Sequence, residues 1–147
     1  MFFSTRIRYG VRALVELGMN YDKGPVLLKT ISERQNISLK YLDHIFTSLK
    51  INGIIKKIKA KKGGYLLNRA PEDITLYDII EAIEGIIQIA CLNNSQMCER
   101  SDICGAKILW KDVNDKINEV LKSITLADFL KAEKKLQHAD EHMMFSI

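Results

Sequence analysis

Ser38-Leu39-Lys40-Tyr41-Leu42-Asp43-His44-Ile45-Phe46-Thr47-Ser48-Leu49 is followed, four residues later, by Ile54-Ile55-Lys56-Lys57-Ile58-Lys59-Ala60-Lys61-Lys62-Gly63-Gly64-Tyr65-Leu66-Leu67-Asn68. Between the two runs the hydrophobic period changes from helical to extended. In the first, Leu42, Ile45, Phe46 and Leu49 share one helix face, and Ser38 supplies a side-chain oxygen for the exposed amides of the first turn. Lys40, Tyr41, Asp43, His44 and Thr47 lie on the other face. The second run is two short segments rich in β-branched and apolar residues around a Gly-Gly turn, which predicts a β-hairpin.

Working toward the N-terminus, residues 5–19 place Ile7, Val11, Leu14, Val15 and Gly18 on one helical stripe and leave Arg6, Arg8 and Arg12 off it. Gly24-Pro25 marks a turn. Residues 28–34 can form a short helix ended by Gln35-Asn36. Three helices, the second and third short and closely spaced, followed by a hairpin, give the order of a winged helix-turn-helix. The fold class expected is mainly α with one small β-hairpin.

In that arrangement the third helix faces the major groove of double-stranded DNA. Ser38, Lys40, Tyr41 and His44 are its candidate contacts. Lys59, Lys61 and Lys62, beside Lys56 and Lys57, crowd the hairpin, where lysines meet phosphates without reading sequence. Gly63 and Gly64 allow close backbone approach, and Arg6 and Arg8 are candidates for phosphate contact. Each feature has a plainer reading: lysines keep an edge hairpin soluble, Tyr41 and His44 pack against neighbouring helices, and the arginines form a solvated face.

Charge sharpens the division. Of 147 residues, 47% are hydrophobic and the net charge is only +4. Residues 1–70 nevertheless hold 14 Lys and Arg against 4 Asp and Glu, whereas residues 71–147 hold 8 against 14. A surplus of ten positive charges beside a deficit of six points the first half at a polyanion and gives the second another task. No apolar run approaches the roughly 20 residues of a membrane span, so no membrane role is expected. The opening Met1-Phe2-Phe3-Ser4-Thr5-Arg6 lacks the apolar stretch of a secretory signal, and a cytoplasmic location is expected.

Beyond Pro71 the pattern is helical again. Thr75 and Asp78 make a capping box ahead of Leu76, Ile79, Ile80 and Ile83, and Gly85 ends that helix. Residues 91–104 are rich in turn formers and predict an irregular loop. Residues 106–123 carry Leu109, Val113, Ile117 and Val120, with Ile124 just beyond, at mixed spacings of three and four, a stripe suited to packing along its whole length. A second copy of the chain would cover it and match a pseudo-palindromic promoter site, while packing within one chain is the alternative. Thr125 with Asp128 starts a last helix through Leu126, Phe129 and Leu130. The expected divisions are residues 1–70 for DNA binding, 71–104 for a linking helix and cysteine loop, 105–136 for dimerisation helices and 137–147 for a flexible, fraying tail.

The three cysteines, Cys91, Cys98 and Cys104, fall within 14 positions in the pattern C-x6-C-x5-C. An odd number in a chain without an export signal argues against a disulfide framework. The spacing is neither that of a zinc ribbon nor the usual ferredoxin run. A loop can nevertheless let three thiolates converge on an iron-sulfur cluster, with structural zinc or three reduced thiols as alternatives. A thiol or metal enzyme lacks support, since no paired catalytic base is evident, and the chain is not expected to be an enzyme.

Taken together, the motifs resemble the IscR/NsrR/CymR family of bacterial winged-helix regulators, the Rrf-two family. The similarity runs from Arg8-Tyr9 through Ile37-Ser38-Leu39-Lys40-Tyr41-Leu42, Ile45-Phe46 and Lys62-Gly63-Gly64-Tyr65-Leu66-Leu67. It continues through Ile74-Thr75-Leu76-Tyr77-Asp78-Ile79-Ile80-Glu81-Ala82-Ile83-Glu84-Gly85, Cys104, Leu109-Trp110 and Ile124-Thr125-Leu126-Ala127-Asp128. The resemblance implies a homodimeric transcriptional regulator, such as a repressor, with a C-terminal dimerisation helix. It also implies a 2Fe-2S or 4Fe-4S cluster on Cys91, Cys98 and Cys104 that senses cluster supply, redox state or nitric oxide. Family members without the cysteines respond instead to cysteine metabolism. IscR-like members place a histidine three residues after the last cysteine, where this chain has Lys107. NsrR-like members use an N-terminal aspartate of the partner, where this chain has Arg8. The fourth ligand is therefore unassigned, with His44, His138, His142, a carboxylate or a small thiol as candidates.

Overall fold

A computed structural model describes residues 3–93 and 98–146 of the chain. Helices α1 (Thr5–Met19), α2 (Leu28–Gln35) and α3 (Leu39–Ile51) lead into an antiparallel hairpin of β1 (Ile55–Ile58) and β2 (Gly64–Leu67). After a 3-10 turn at Pro71–Asp73 come α4 (Leu76–Glu84), the short α5 (Ala90–Asn93), a second 3-10 turn at Ser101–Ile103, and the long helices α6 (Gly105–Ser123) and α7 (Leu126–Phe145). The winged helix-turn-helix order is therefore present.

Local chemistry explains most boundaries. Ser4 and Ser38 cap α1 and α3, each side-chain oxygen accepting a backbone N–H at 3.2 Å, from Ile7 and Tyr41. Asn36 ends α2 in the left-handed region at φ 53°, which lets the chain reverse into α3 within three residues. In the hairpin, Ile55 pairs with Leu67 and Ile58 with Gly64. The strand pair is docked by Val26, which exchanges two backbone hydrogen bonds with Tyr65 at 3.0 and 2.8 Å.

One core joins these elements. Leu14 and Leu17 of α1, Ile31 of α2, Leu42, Ile45, Phe46 and Leu49 of α3, and Ile54, Ile55 and Leu67 around the hairpin are buried together. Phe46 meets Tyr65 edge-on with ring centroids 4.9 Å apart. α4 adds Ile79, Ile80 and Ile83. Gly10 permits its approach to α1, since a Cβ there would lie 2.5 Å from the Ile83 side chain.

α4 and α7 start in matching ways. Thr75 with Asp78 and Thr125 with Asp128 are both complete capping boxes. The two starts are laced together, Leu76 N–H donating to Ile124 and Leu126 N–H to Ile74, each at 2.8 Å.

Two expectations need revision. The cysteine segment is not wholly irregular, because residues 90–93 close a helical turn that carries Cys91. The last helix does not stop at Gln137 but continues to Phe145; residues 137–146 are all exposed on it, held by helical bonds rather than by packing. The stripe expected along α6 lies mostly outside the chain's own core. Asn114 and Leu121 are buried, Ile117 is half-buried, and Leu109, Val113 and Val120 are exposed. No helix among the described residues is long and apolar enough to cross a membrane.

Candidate nucleic-acid interface and cysteine segment

The exposed face of α3 and the hairpin line one cleft. Its walls include Leu39, Lys40 and Asp43 from α3, Lys57, Lys59, Lys61 and Gly63 from the hairpin, and Lys29 from α2, around a volume of about 910 Å³. Ser38, Lys40 and His44 are exposed, as are all five hairpin lysines. Among the described residues none of those lysines enters a salt bridge. Five ammonium groups without a carboxylate partner on one short hairpin, Lys57 lying over the Tyr65 ring at 5.8 Å, give a strong local positive potential, which a phosphate backbone neutralises with release of counterions.

The other expected contact residues are placed differently. Tyr41 is half-buried and meets Tyr9 edge-on at 5.8 Å, so part of its role is to pack α3 on α1. Arg8 is exposed and donates to Thr5 at 3.1 Å, while Arg6 is half-buried. Neither lines the cleft with the lysines.

The reason for a glycine at position 64 is internal. Gly64 is buried at φ 146°, and a Cβ there would fall 2.6 Å from the Val26 carbonyl oxygen. At Gly63 a Cβ would fall 2.6 Å from the Ile58 carbonyl oxygen. Both glycines therefore serve the turn and its docking, whatever approaches from outside.

Two features were not anticipated from the sequence. The cleft exposes apolar side chains, Leu27 at 56% and Leu39 at 48%; the sequence signal for Leu39 was its position off the Leu42-Ile45-Phe46-Leu49 face. The second is Asn114, 8% exposed, whose Oδ1 accepts the Ile89 N–H at 2.9 Å. That bond ties α6 to the backbone two residues before Cys91. An amide between Val113 and Ile117 on an otherwise apolar side was its only trace in the sequence.

Cys91 and Cys98 are exposed, Cys104 is half-buried immediately before α6, and all three are free thiols. Residues 94–97, inside the cysteine segment, lie outside the described residues. Three accessible soft sulfur donors suit iron or zinc by their chemistry. Among the described residues, no three His, Cys, Asp or Glu side chains converge on a common point. Lys107, in the position of the IscR-like histidine, donates to Ser101 and so braces the 3-10 turn against α6.

α6 presents a continuous apolar surface to solvent. Leu109 is 68% and Val120 57% exposed, with Ile108, Trp110 and Val113 nearby. The same helix carries the pairs Lys111–Asp115 and Lys116–Asp112 at 2.7 and 2.9 Å, which as exposed i, i+4 pairs contribute little.

Comparison with known proteins gives these features a common frame. A family model described as Rrf2, iron-dependent transcriptional regulator, matches residues 3–132. Proteins described as HTH-type transcriptional regulator IscR from Erwinia tasmaniensis and Xenorhabdus nematophila are 33% and 34% identical over 140 residues, spanning 95% of this chain and 85% of each relative. Among solved structures, T. potens IscR matches with a TM-score of 0.75 at 38% identity, covering 93% of this chain and 91% of that one. CymR, the global cysteine regulator of B. subtilis, matches with a TM-score of 0.73 at 33% identity, covering 90% and 98%. These relatives are regulators rather than enzymes, and the chain belongs to the Rrf2 family of transcriptional regulators.

Proposed function

We propose that the protein is a homodimeric DNA-binding regulator, acting in the cytoplasm, whose affinity for a pseudo-palindromic promoter site is set by an iron-sulfur cluster on Cys91, Cys98 and Cys104. The observation that carries the DNA-binding face is the shared cleft: Lys40 at the start of α3 and the hairpin lysines Lys57, Lys59 and Lys61 line it together, with Lys56 and Lys62 exposed on the same hairpin. In this reading Lys40 within the cleft and Ser38, Tyr41 and His44 outside it face the major groove, Lys59, Lys61, Lys62 and Gly63 meet the adjoining backbone, and Arg6 and Arg8, which lie away from the cleft, reach phosphates beyond it. Gly64 acts from beneath, by holding the hairpin on Val26.

Dimerisation through α6 is supported by its exposed apolar surface, which is too continuous to be left in water without cost. Covering one such exposed leucine or valine contributes up to about 1.5–3 kcal/mol toward offsetting the cost of association.

The three free cysteines would hold the cluster as thiolates, and when bound it supplies a centre sensitive to oxidants and nitric oxide. The chain's own residues carry the consequence. Asn114 fixes the segment before Cys91 to α6, and Lys107 fixes the turn before Cys104 to the same helix. A rearrangement of the cysteine segment therefore shifts α6, and with it the separation of the two α3 helices. Only a difference in DNA affinity between the two arrangements gives regulation.

A second reading, a regulator of cysteine metabolism that works without a cluster, is favoured by the match to CymR. Anaerobic purification with iron and sulfide counting separates the two. The first reading expects a coloured protein with stoichiometric iron and sulfide, lost in Cys91→Ser, Cys98→Ser and Cys104→Ser variants. No iron or sulfide after reconstitution would leave the second.

A further inference from the structure

We propose that the basic cleft reads thymine methyl groups, with Leu39 as a specificity-determining residue and Leu27 as the opposite apolar wall. This rests on the DNA-binding reading and deepens it. Both leucines are about half exposed in a cleft whose rim is set with lysines. Two leucines left in water beside unpaired ammonium groups fit an occupant that is anionic outside and locally apolar within. A DNA duplex has that combination: its phosphates meet the lysines, and the C5 methyl of thymine is the apolar group it displays in the major groove.

Placement agrees with the chemistry. Leu39 is the first residue of α3, beside the capping Ser38, so it stands at the tip of the helix rather than along its shaft. Leu27 immediately precedes α2, and Ile58 of β1 adds a further apolar side chain to the lining of the same cleft. Thymine methyls lie toward the rim of the major groove, near their own strand's backbone, where a side chain flanked by phosphate-binding lysines reaches them. Asp43, one turn beyond Leu39 and lining the same cleft, disfavours a phosphate at this point and leaves the base edge as the partner. An A-form RNA helix offers no equivalent, because its major groove is too deep and narrow for side chains to read.

The test uses the full chain and random-sequence DNA duplexes. The tightest-binding sequence is selected at low salt, and each thymine is then replaced singly by deoxyuridine, which removes one methyl group and nothing else. The expected result is a loss of about fourfold in affinity at one position per half-site, the equivalent of exposing one buried methyl group. Leu39→Ala, at an exposed position and checked for native circular dichroism, binds more weakly and shows no loss at that position. Wild-type protein indifferent to every thymine-to-uracil exchange would overturn the inference while leaving DNA binding intact, and so would a Leu39→Ala protein that keeps the full loss. Binding to no duplex at all would remove the DNA-binding reading and this inference with it.

Discussion

The helices of the first 70 residues and those after residue 104 obey the same sequence rules, yet they finish differently. In α1, α2 and α3 every strong apolar stripe meets another element of the same chain, and Leu14, Ile31, Leu42, Ile45, Phe46 and Leu49 are fully buried. In α6 the longest stripe faces outward, and only Asn114 and Leu121 of that helix are buried. The winged helix closes its own core, whereas α6 leaves most of its apolar stripe exposed. In the proposed regulator the first region would meet DNA preformed, and the second would be the part free to rearrange.

Substitutions break this contrast in a graded way. Phe46→Ala removes a fully buried ring packed on Tyr65 and should cost about 3–5 kcal/mol, read from urea unfolding. Leu109→Ala, at an exposed position, should leave the unfolding free energy at low protein concentration within about 0.5 kcal/mol of wild type. Equal costs at the two sites would erase the distinction between the regions. Charges on the open stripe, Val113→Glu with Val120→Glu, should convert the dimer to monomer in sedimentation and weaken binding to a two-fold site at least tenfold, with helix content unchanged. A dimer that survives would place its interface elsewhere.

Smaller effects sharpen the same comparison. Asn114→Ala strands the Ile89 N–H and should cost about 1–3 kcal/mol. It should also speed alkylation of Cys91 relative to Cys104, whereas uniform labelling rates would sever the link between α6 and the cysteine segment. The smallest effect belongs to the cap of α7. The Asp128 carboxyl is held below its ordinary value of 3.8, chiefly by the backbone N–H of Thr125. Its contribution is therefore complete above that value and lost as pH falls through the lowered one. Asp128→Asn should flatten this acid-side dependence in unfolding experiments by lowering stability slightly at neutral pH and leaving it nearly unchanged below the lowered value.

Much of the N-terminal fold was legible because it is local. The run 5–19 is α1 to the residue, Ser38 and Thr75 cap as their types demand, and Gly63-Gly64 marks the turn. What was not legible depends on distant partners. No period in the sequence shows that Gly64 lies against Val26, that Tyr41 leans on Tyr9, or that α6 turns Asn114 inward in preference to Leu109. Helix α5 was hidden because four residues are too few for a hydrophobic period to register, and α7 ran past its predicted end because good helix formers need no packing to continue a turn already started. The basic face was visible as charge. The two leucines within it were not, because exposure is a tertiary property.

The most direct test of cluster-controlled regulation is the DNA affinity of one anaerobic preparation, measured on one selected duplex before and after the iron is removed. A change of at least about fivefold, abolished in the Cys91→Ser variant, is the predicted result. Equal affinity in the two states, with wild-type protein bound to the duplex in both, would contradict it.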